Sequence, residues 1–103
     1  MADPISGSTE VNQFDYVVWF RDTTCDPDDQ DYEWPACFLI LSRSVDAAKN
    51  WGDHLARRYS EARRTEVYLW SECRPHDPSL SVALGRLPVV IDGVNASDDE
   101  IGW

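Results

Sequence analysis

The chain has few cysteines and no cysteine pair at close spacing. Its 103 residues include three cysteines, Cys25, Cys37 and Cys73. An odd number of thiols without a Cys-x-x-Cys pair fits neither a closed disulfide framework nor a zinc site built from two tight pairs. We therefore expect all three thiols to be reduced and unlinked, and we expect neither a bound metal nor another cofactor.

Long apolar runs are also missing. No apolar stretch approaches the roughly 18–20 residues that a membrane-spanning helix requires. The first ten residues, 1–10, have neither the basic region nor the apolar core of a secretory signal. The sequence therefore predicts a cytoplasmic protein without a membrane partner.

Basic residues are scarce relative to acidic ones. The chain has 9 Lys and Arg residues against 19 Asp and Glu residues, which gives a formal net charge of −10. Such a balance repels nucleic acid phosphates and anionic lipid head groups, so neither is expected as a partner. It favours a basic protein partner instead.

The length of the chain fits one domain. A polar stretch at the start predicts a flexible leader over residues 1–13. A single α+β domain is predicted over residues 14–93, followed by an acidic C-terminal tail over residues 94–103.

Apolar periodicity predicts the order β-β-α-β-β. Short apolar runs predict strands over residues 14–20, 36–41, 65–70 and 87–91, with Pro88 at the start of its strand or at a sheet edge. Ser44 is a preferred N-cap residue, and the apolar face of the helix that follows includes Trp51, Leu55 and Tyr59. Gly52 on this helix is expected to allow close approach to the sheet.

These elements predict a mixed four-stranded sheet with one main helix packed on one face. A single helix leaves the opposite face of the sheet, which we call the open face, without a cover. We expect Trp19, Tyr68 and Trp70 to lie on the open face. Exposed apolar surface of this kind is typical of an interface with a partner or with a second copy of the chain.

The segment 21–35 is dense in carboxylates and contains two aromatic residues. It does not match a calcium-binding EF-hand loop that would begin at Asp26, because Asp31 stands where that loop requires glycine. One interpretation is a docking loop for a basic surface, in which aromatic anchors lie within a polar rim. The other is a solvated loop whose two aromatic side chains fold back into the core. The candidate partner-binding residues are Asp28, Asp29, Asp31, Tyr32, Glu33 and Trp34.

No catalytic constellation stands out in the sequence. The main hypothesis is a non-catalytic acidic protein-binding domain, of the inhibitor, adaptor or immunity type, that engages a basic protein. One alternative is a small hydrolase-like or metal-assisted enzyme that combines loop carboxylates with His54 or His76. Another is a structural subunit that dimerises through the open face.

Overall fold

The computed structural model describes residues 11–103, so most of the predicted leader lies outside the described residues. The elements are β1 (Asn12–Asp22), β2 (Glu33–Ser42), α1 (Val45–Arg63), β3 (Glu66–Pro75), α2 (Pro78–Leu84), β4 (Val89–Ile91) and α3 (Asp98–Ile101). The predicted α+β class and its mixed four-stranded sheet are confirmed. None of the helices in this part of the chain has the length and apolar character needed to cross a membrane.

Strand β1 lies inside the sheet, whose strand order is β3-β1-β2-β4. It pairs antiparallel with both β2 and β3, so that Tyr16 lies opposite Phe38 on one side and Cys73 on the other. Strand β4 pairs parallel with β2 at Leu39 to Leu41, at the far edge. Pro88 directly precedes this edge strand, as the sequence predicts.

The core lies between the sheet and α1. Alternation along β1 directs Phe14, Tyr16, Val18 and Phe20 to this side, and all four are buried. The helix contributes buried residues from one face, as its periodicity predicts: Ala48, Gly52, Asp53, Leu55, Ala56 and Tyr59. Trp51 is partly buried and packs against the same cluster.

Helix α1 begins where its N-cap signal predicts. The Ser44 side chain accepts a hydrogen bond from the Ala47 amide at 3.1 Å, which satisfies one of the free donors of the first turn. In the middle of the helix, a Cβ on Gly52 would stand 2.4 Å from the Tyr16 ring. The predicted close approach of helix and sheet at this glycine is therefore confirmed.

Strand β3 differs from the prediction in two ways. It continues to Pro75 instead of ending at Trp70, and it contains a β-bulge. Trp19 pairs with Trp70, but the next residue, Phe20, pairs with Tyr68, so Leu69 is the extra residue. The bulge separates Tyr68 and Trp70 onto opposite faces, and the prediction that both lie on the open face is wrong for Tyr68.

The C-terminal residues belong to the packed domain. Ala96 and Ile101 are buried, and the Trp103 ring lies 4.8 Å from the Tyr59 ring. Ser97 and Glu100 form a capping box that starts α3. Three residues of the segment predicted as an acidic C-terminal tail, Ala96, Ile101 and Trp103, thus pack in or against the core.

Candidate protein-binding surface

The acidic loop comprises residues 23–32, which join β1 to β2. Backbone hydrogen bonds close its base, from Asp22 N to Tyr32 O at 2.7 Å and from Thr23 N to Thr65 O at 2.7 Å. A turn inside the loop is held by Asp29 N donating to Asp26 O at 2.9 Å. Backbone and local turn contacts therefore give the loop its shape.

Most of the loop carboxylates point into solvent. Asp26, Asp28 and Asp31 are exposed, and their side chains accept no hydrogen bond from the described residues. Asp29 is also exposed, although its Oδ1 accepts from the Asp31 amide at 2.9 Å. Unpaired exposed carboxylates at one end of a sheet create a local negative potential.

Tyr32 and Glu33 are engaged by a residue of the chain itself. The Arg21 guanidinium donates to Glu33 Oε2 from Nε at 3.0 Å and from Nη2 at 2.5 Å, and it lies 5.1 Å from the centre of the Tyr32 ring. The hydrogen bond to Glu33 raises the pKa of Arg21. This trio forms the border between the loop and the sheet.

Trp34 lies in β2 and faces the core. It is opposite Phe20 in the strand register, and its ring lies 4.9 Å from that of Phe20 and 6.2 Å from that of Tyr59. Trp34, Ala36 and Phe38 alternate along one strand face. This spacing is a sequence signal that could have indicated the inward position of Trp34, but the strand was expected to begin only at Ala36. Trp34 thus faces the core, as expected if the aromatic residues of this segment fold back into the core instead of contacting a partner.

An exposed aromatic patch lies next to the acidic loop on the open face. The rings of Trp19 and Trp70 stack across neighbouring strands, with centroids 6.1 Å apart and an angle of 22° between their planes. Trp70 is 47% exposed and Val67 is 42% exposed, while the exposed Pro35 lies opposite Trp19. We call these four residues, Trp19, Pro35, Val67 and Trp70, the tryptophan patch.

Adjacency of the loop and the patch follows from the strand register. Val67 pairs with Arg21, and Arg21 also pairs with Glu33, so one row of the sheet joins the patch to the base of the loop. The sequence indicated Trp19 and Trp70 as surface residues. It did not indicate their distance from the carboxylates, because that depends on pairing partners far apart in the chain.

The histidines lie away from the acidic loop. Asp15 is buried and contacts His76 Nδ1 at 2.7 Å, and it accepts from the Asp77 amide at 2.9 Å. Asp22 lies seven steps along β1 from Asp15, a distance of about 23 Å at the usual rise of a strand. His54 instead stacks on Trp51 within α1, with ring centroids 4.9 Å apart. The loop carboxylates and His76, one set proposed for an enzyme, are therefore not brought together.

A buried carboxylate, Asp53, ties α1 to the sheet. Its Oδ1 accepts from Tyr16 at 2.7 Å and from Ser71 at 2.5 Å, and its Oδ2 contacts Lys49 Nζ at 2.9 Å. Burial by itself would raise the pKa of Asp53, but the hydrogen bonds from Lys49, Ser71 and Tyr16 outweigh it and the pKa is lowered. Both oxygens of this carboxylate are thus hydrogen-bonded within the chain, which links α1 to β1 and β3.

The cysteines are neither linked nor activated. All three are free. Burial raises the pKa of Cys73 to about 11, and burial also raises the pKa of Cys37. A thiol with a raised pKa is protonated at neutral pH and is a poor nucleophile.

Within residues 11–103 no group of three or more His, Cys, Asp or Glu side chains is placed to hold a metal ion.

The fold and this surface together define a small acidic α+β domain with an exposed tryptophan patch beside a carboxylate-rich loop. The chain matches no protein-family model, and comparisons with curated proteins and with solved structures gave no significant match.

Proposed function

We propose that this chain is a non-catalytic binding domain that engages a basic protein through the acidic loop and the tryptophan patch. The observation that carries the proposal is the position of two stacked, partly exposed tryptophans next to unpaired carboxylates. Aromatic side chains within a polar rim are the usual arrangement of residues that dominate protein–protein binding energy. Such a surface would suit an inhibitor, an adaptor or an immunity-type protein that engages a basic partner.

The two parts of the surface have different physical roles. The carboxylates of Asp28, Asp29 and Asp31 act at long range and steer a basic partner into encounter. Trp19 and Trp70 act at contact, where their large rings lose water against the partner. With a net charge of −10 on the whole chain, steering is strong at low salt and weakens as the screening length falls to about 8–10 Å.

The test of steering uses a loop variant and a control of equal charge. Asp28, Asp29 and Asp31 are changed to Asn in the first, and the exposed Asp46, Glu61 and Asp99 are changed to Asn, Gln and Asn in the second. A partner captured with the wild-type chain from its native organism is then measured by surface plasmon resonance at two salt concentrations. We expect the loop variant to associate more slowly than the control, and the difference to shrink at high salt. Equal association rates for the two variants would contradict the role of the loop.

The contact role of the patch is tested by dissociation. Trp70→Ala should raise the dissociation rate by about 30-fold, which corresponds to the roughly 2 kcal/mol expected of a dominant contact residue. The control is Val82→Ala, since Val82 is 87% exposed on α2. If Trp70→Ala and the loop variant both bind as the wild type does, the proposed surface is wrong.

A further inference from the structure

We infer that the tryptophan patch takes an arginine side chain of the partner, with the guanidinium stacked on Trp70 and bonded to Glu72. This inference rests on the proposed function and names the chemistry of the group that the surface recognises. Its evidence is the local arrangement of an exposed ring and an unpaired carboxylate on one face of an edge strand.

Trp70 and Glu72 point to the same side of β3. They pair with Trp19 and Val17 on β1, and the bulge at Leu69 lies outside this stretch, so the alternation from Trp70 onward is regular. Two steps along a strand cover about 6.6 Å, which is the spacing between Trp70 and Glu72 along β3. An arginine guanidinium that lies on the Trp70 ring can reach the Glu72 carboxylate across this spacing. The open side of this strand at the sheet edge gives the incoming side chain access.

Both groups are free to accept a ligand. Trp70 is 47% exposed. Its ring stacks on the ring of Trp19, which belongs to the neighbouring strand β1. Glu72 is exposed, and its carboxylate makes no hydrogen bond or ion pair with the described residues. Arg74 lies two residues further along the same face but forms no ion pair with Glu72.

The chain itself contains the arrangement that we infer for the complex. Arg21 lies over the Tyr32 ring at 5.1 Å and donates to Glu33 at 3.0 Å. A planar guanidinium satisfies a ring face and a carboxylate at the same time, whereas a lysine ammonium acts as a compact, strongly hydrated charge. Trp70 and Glu72 offer the same two acceptors without an internal arginine, and indole is a better ring than phenol for this contact.

The experiment compares two synthetic peptides of equal length and charge in a Gly/Ser background, one with three arginines and one with three lysines. Binding to the full chain is followed by NMR titration of the indole N–H signals. We expect the arginine peptide to bind about fivefold more tightly, the size of one exposed cation–π contact. Trp70→Leu and Glu72→Gln should abolish or reduce this preference. Glu61→Gln, which removes an exposed carboxylate on α1, should retain it.

Three outcomes would overturn the inference: equal affinity for the two peptides, a preference that survives both Trp70→Leu and Glu72→Gln, or no binding of either peptide. These outcomes are separable from failure of the proposed function. If the loop variant still slows association of the native partner while the arginine preference is absent, the binding surface stands and its patch receives an apolar side chain instead.

Discussion

At the scale of single residues, Gly52 and Tyr16 set how closely α1 approaches the sheet. Glycine normally weakens the interior of a helix, and replacing it with alanine at an exposed site stabilises by about 0.5–1 kcal/mol. Here a Cβ would stand 2.4 Å from the ring of Tyr16, which is fully buried and hydrogen-bonded to Asp53. Because the ring is buried and held by this hydrogen bond, moving it away from an added methyl group would disturb the packing around it.

Gly52→Ala should therefore destabilise the domain by about 1–3 kcal/mol, the usual cost of overpacking a core. The free energy of unfolding is measured by urea denaturation. Asn50→Ala is the control at an exposed position of the same helix, and it should leave stability nearly unchanged. A gain in stability for Gly52→Ala would show that helix and sheet are further apart than described.

Asp53 gives the domain a specific dependence on pH. Its pKa is lowered in the folded state, below the value near 3.9 that is usual for an unfolded chain. The folded state therefore binds this proton less readily than the unfolded state. The stabilisation is fully present above about pH 4 and is lost as the pH falls through the folded pKa.

The variant Asp53→Asn removes this contribution. At pH 7 it should cost about 1.5–3 kcal/mol, the range for losing hydrogen bonds to a charged group. The difference in the free energy of unfolding between variant and wild type should narrow as the pH falls below about 4. In that range the Asp53 carboxyl of the wild type becomes protonated and neutral, like the amide of the variant. Urea unfolding from pH 7 to pH 3 measures the difference at each pH. A difference that stays constant over this range would contradict the role of the ionised carboxylate.

At the scale of elements, the connection from α1 to β3 is tight and strained. Arg64 has φ 64° and ψ −42°, and Thr65 N donates to Arg63 O at 2.6 Å, which is the geometry of a γ-turn. Positive φ is costly for a residue with a Cβ. The carbonyl of Thr65 then accepts from Thr23, so the turn also supports the base of the acidic loop.

Arg64→Gly should stabilise the domain by about 0.5–1 kcal/mol, because relief of the strained conformation exceeds the added freedom of the unfolded chain. Arg64→Ala is the matched control: it removes the same charge but keeps the Cβ, and it should not stabilise. Thermal and urea unfolding of both variants provide the measurement. Equal effects from glycine and alanine would mean that charge, not backbone strain, decides stability at this position.

How far the sequence predicts these elements depends on whether the signal is local. The helix after Ser44 was predictable from one N-cap and one apolar face, and β1 and β2 from short apolar runs. The bulge at Leu69 was not predictable from a local pattern, because it arises from the pairing of β1 with β3. Helix α2 was missed although Asp77 before Pro78 is a local start signal, and the Asp77 side chain accepts from the Ser79 amide at 2.9 Å.

The candidate surface was predictable in part for the same reason. The carboxylates of the acidic loop are visible as composition, and Asp28, Asp29 and Asp31 lie exposed where the loop was predicted. The inward position of Trp34 depends on where β2 begins. The strand begins three residues earlier than expected, at Glu33, so Trp34 and Pro35 lie within it. The proximity of Trp70 to the loop needs the strand order, which no local pattern contains.

At the scale of the whole molecule, the last residues of the chain complete the core. The Trp103 ring lies 5.6 Å from that of Phe20, 5.5 Å from that of Phe38 and 4.8 Å from that of Tyr59.

Polar contacts also hold the C-terminal segment. The indole Nε1 of Trp103 donates to Asp98 Oδ1 at 3.0 Å, and Asp98 lies 3.7 Å from Arg63 at the end of α1. Arg58 donates to the Ala96 carbonyl and holds the same segment against the helix. The C-terminal segment is thus attached through both apolar and polar contacts.

Trp103→Ala should cost about 2–3 kcal/mol, below the roughly 3–5 kcal/mol of a fully buried tryptophan because this ring is half-buried. Removal of residues 96–103 should cost more, since it also deletes the buried Ala96 and Ile101. Far-ultraviolet circular dichroism and urea unfolding measure both variants. Asp99→Ala, in the same segment but exposed, is the control and should change stability by less than about 0.5 kcal/mol. If the shortened chain unfolds at the same urea concentration as the full chain, residues 96–103 do not contribute to the core and the domain ends before them. A loss for Trp103→Ala together with an intact control would show that this ring stabilises the core through its contacts with Phe20, Phe38 and Tyr59.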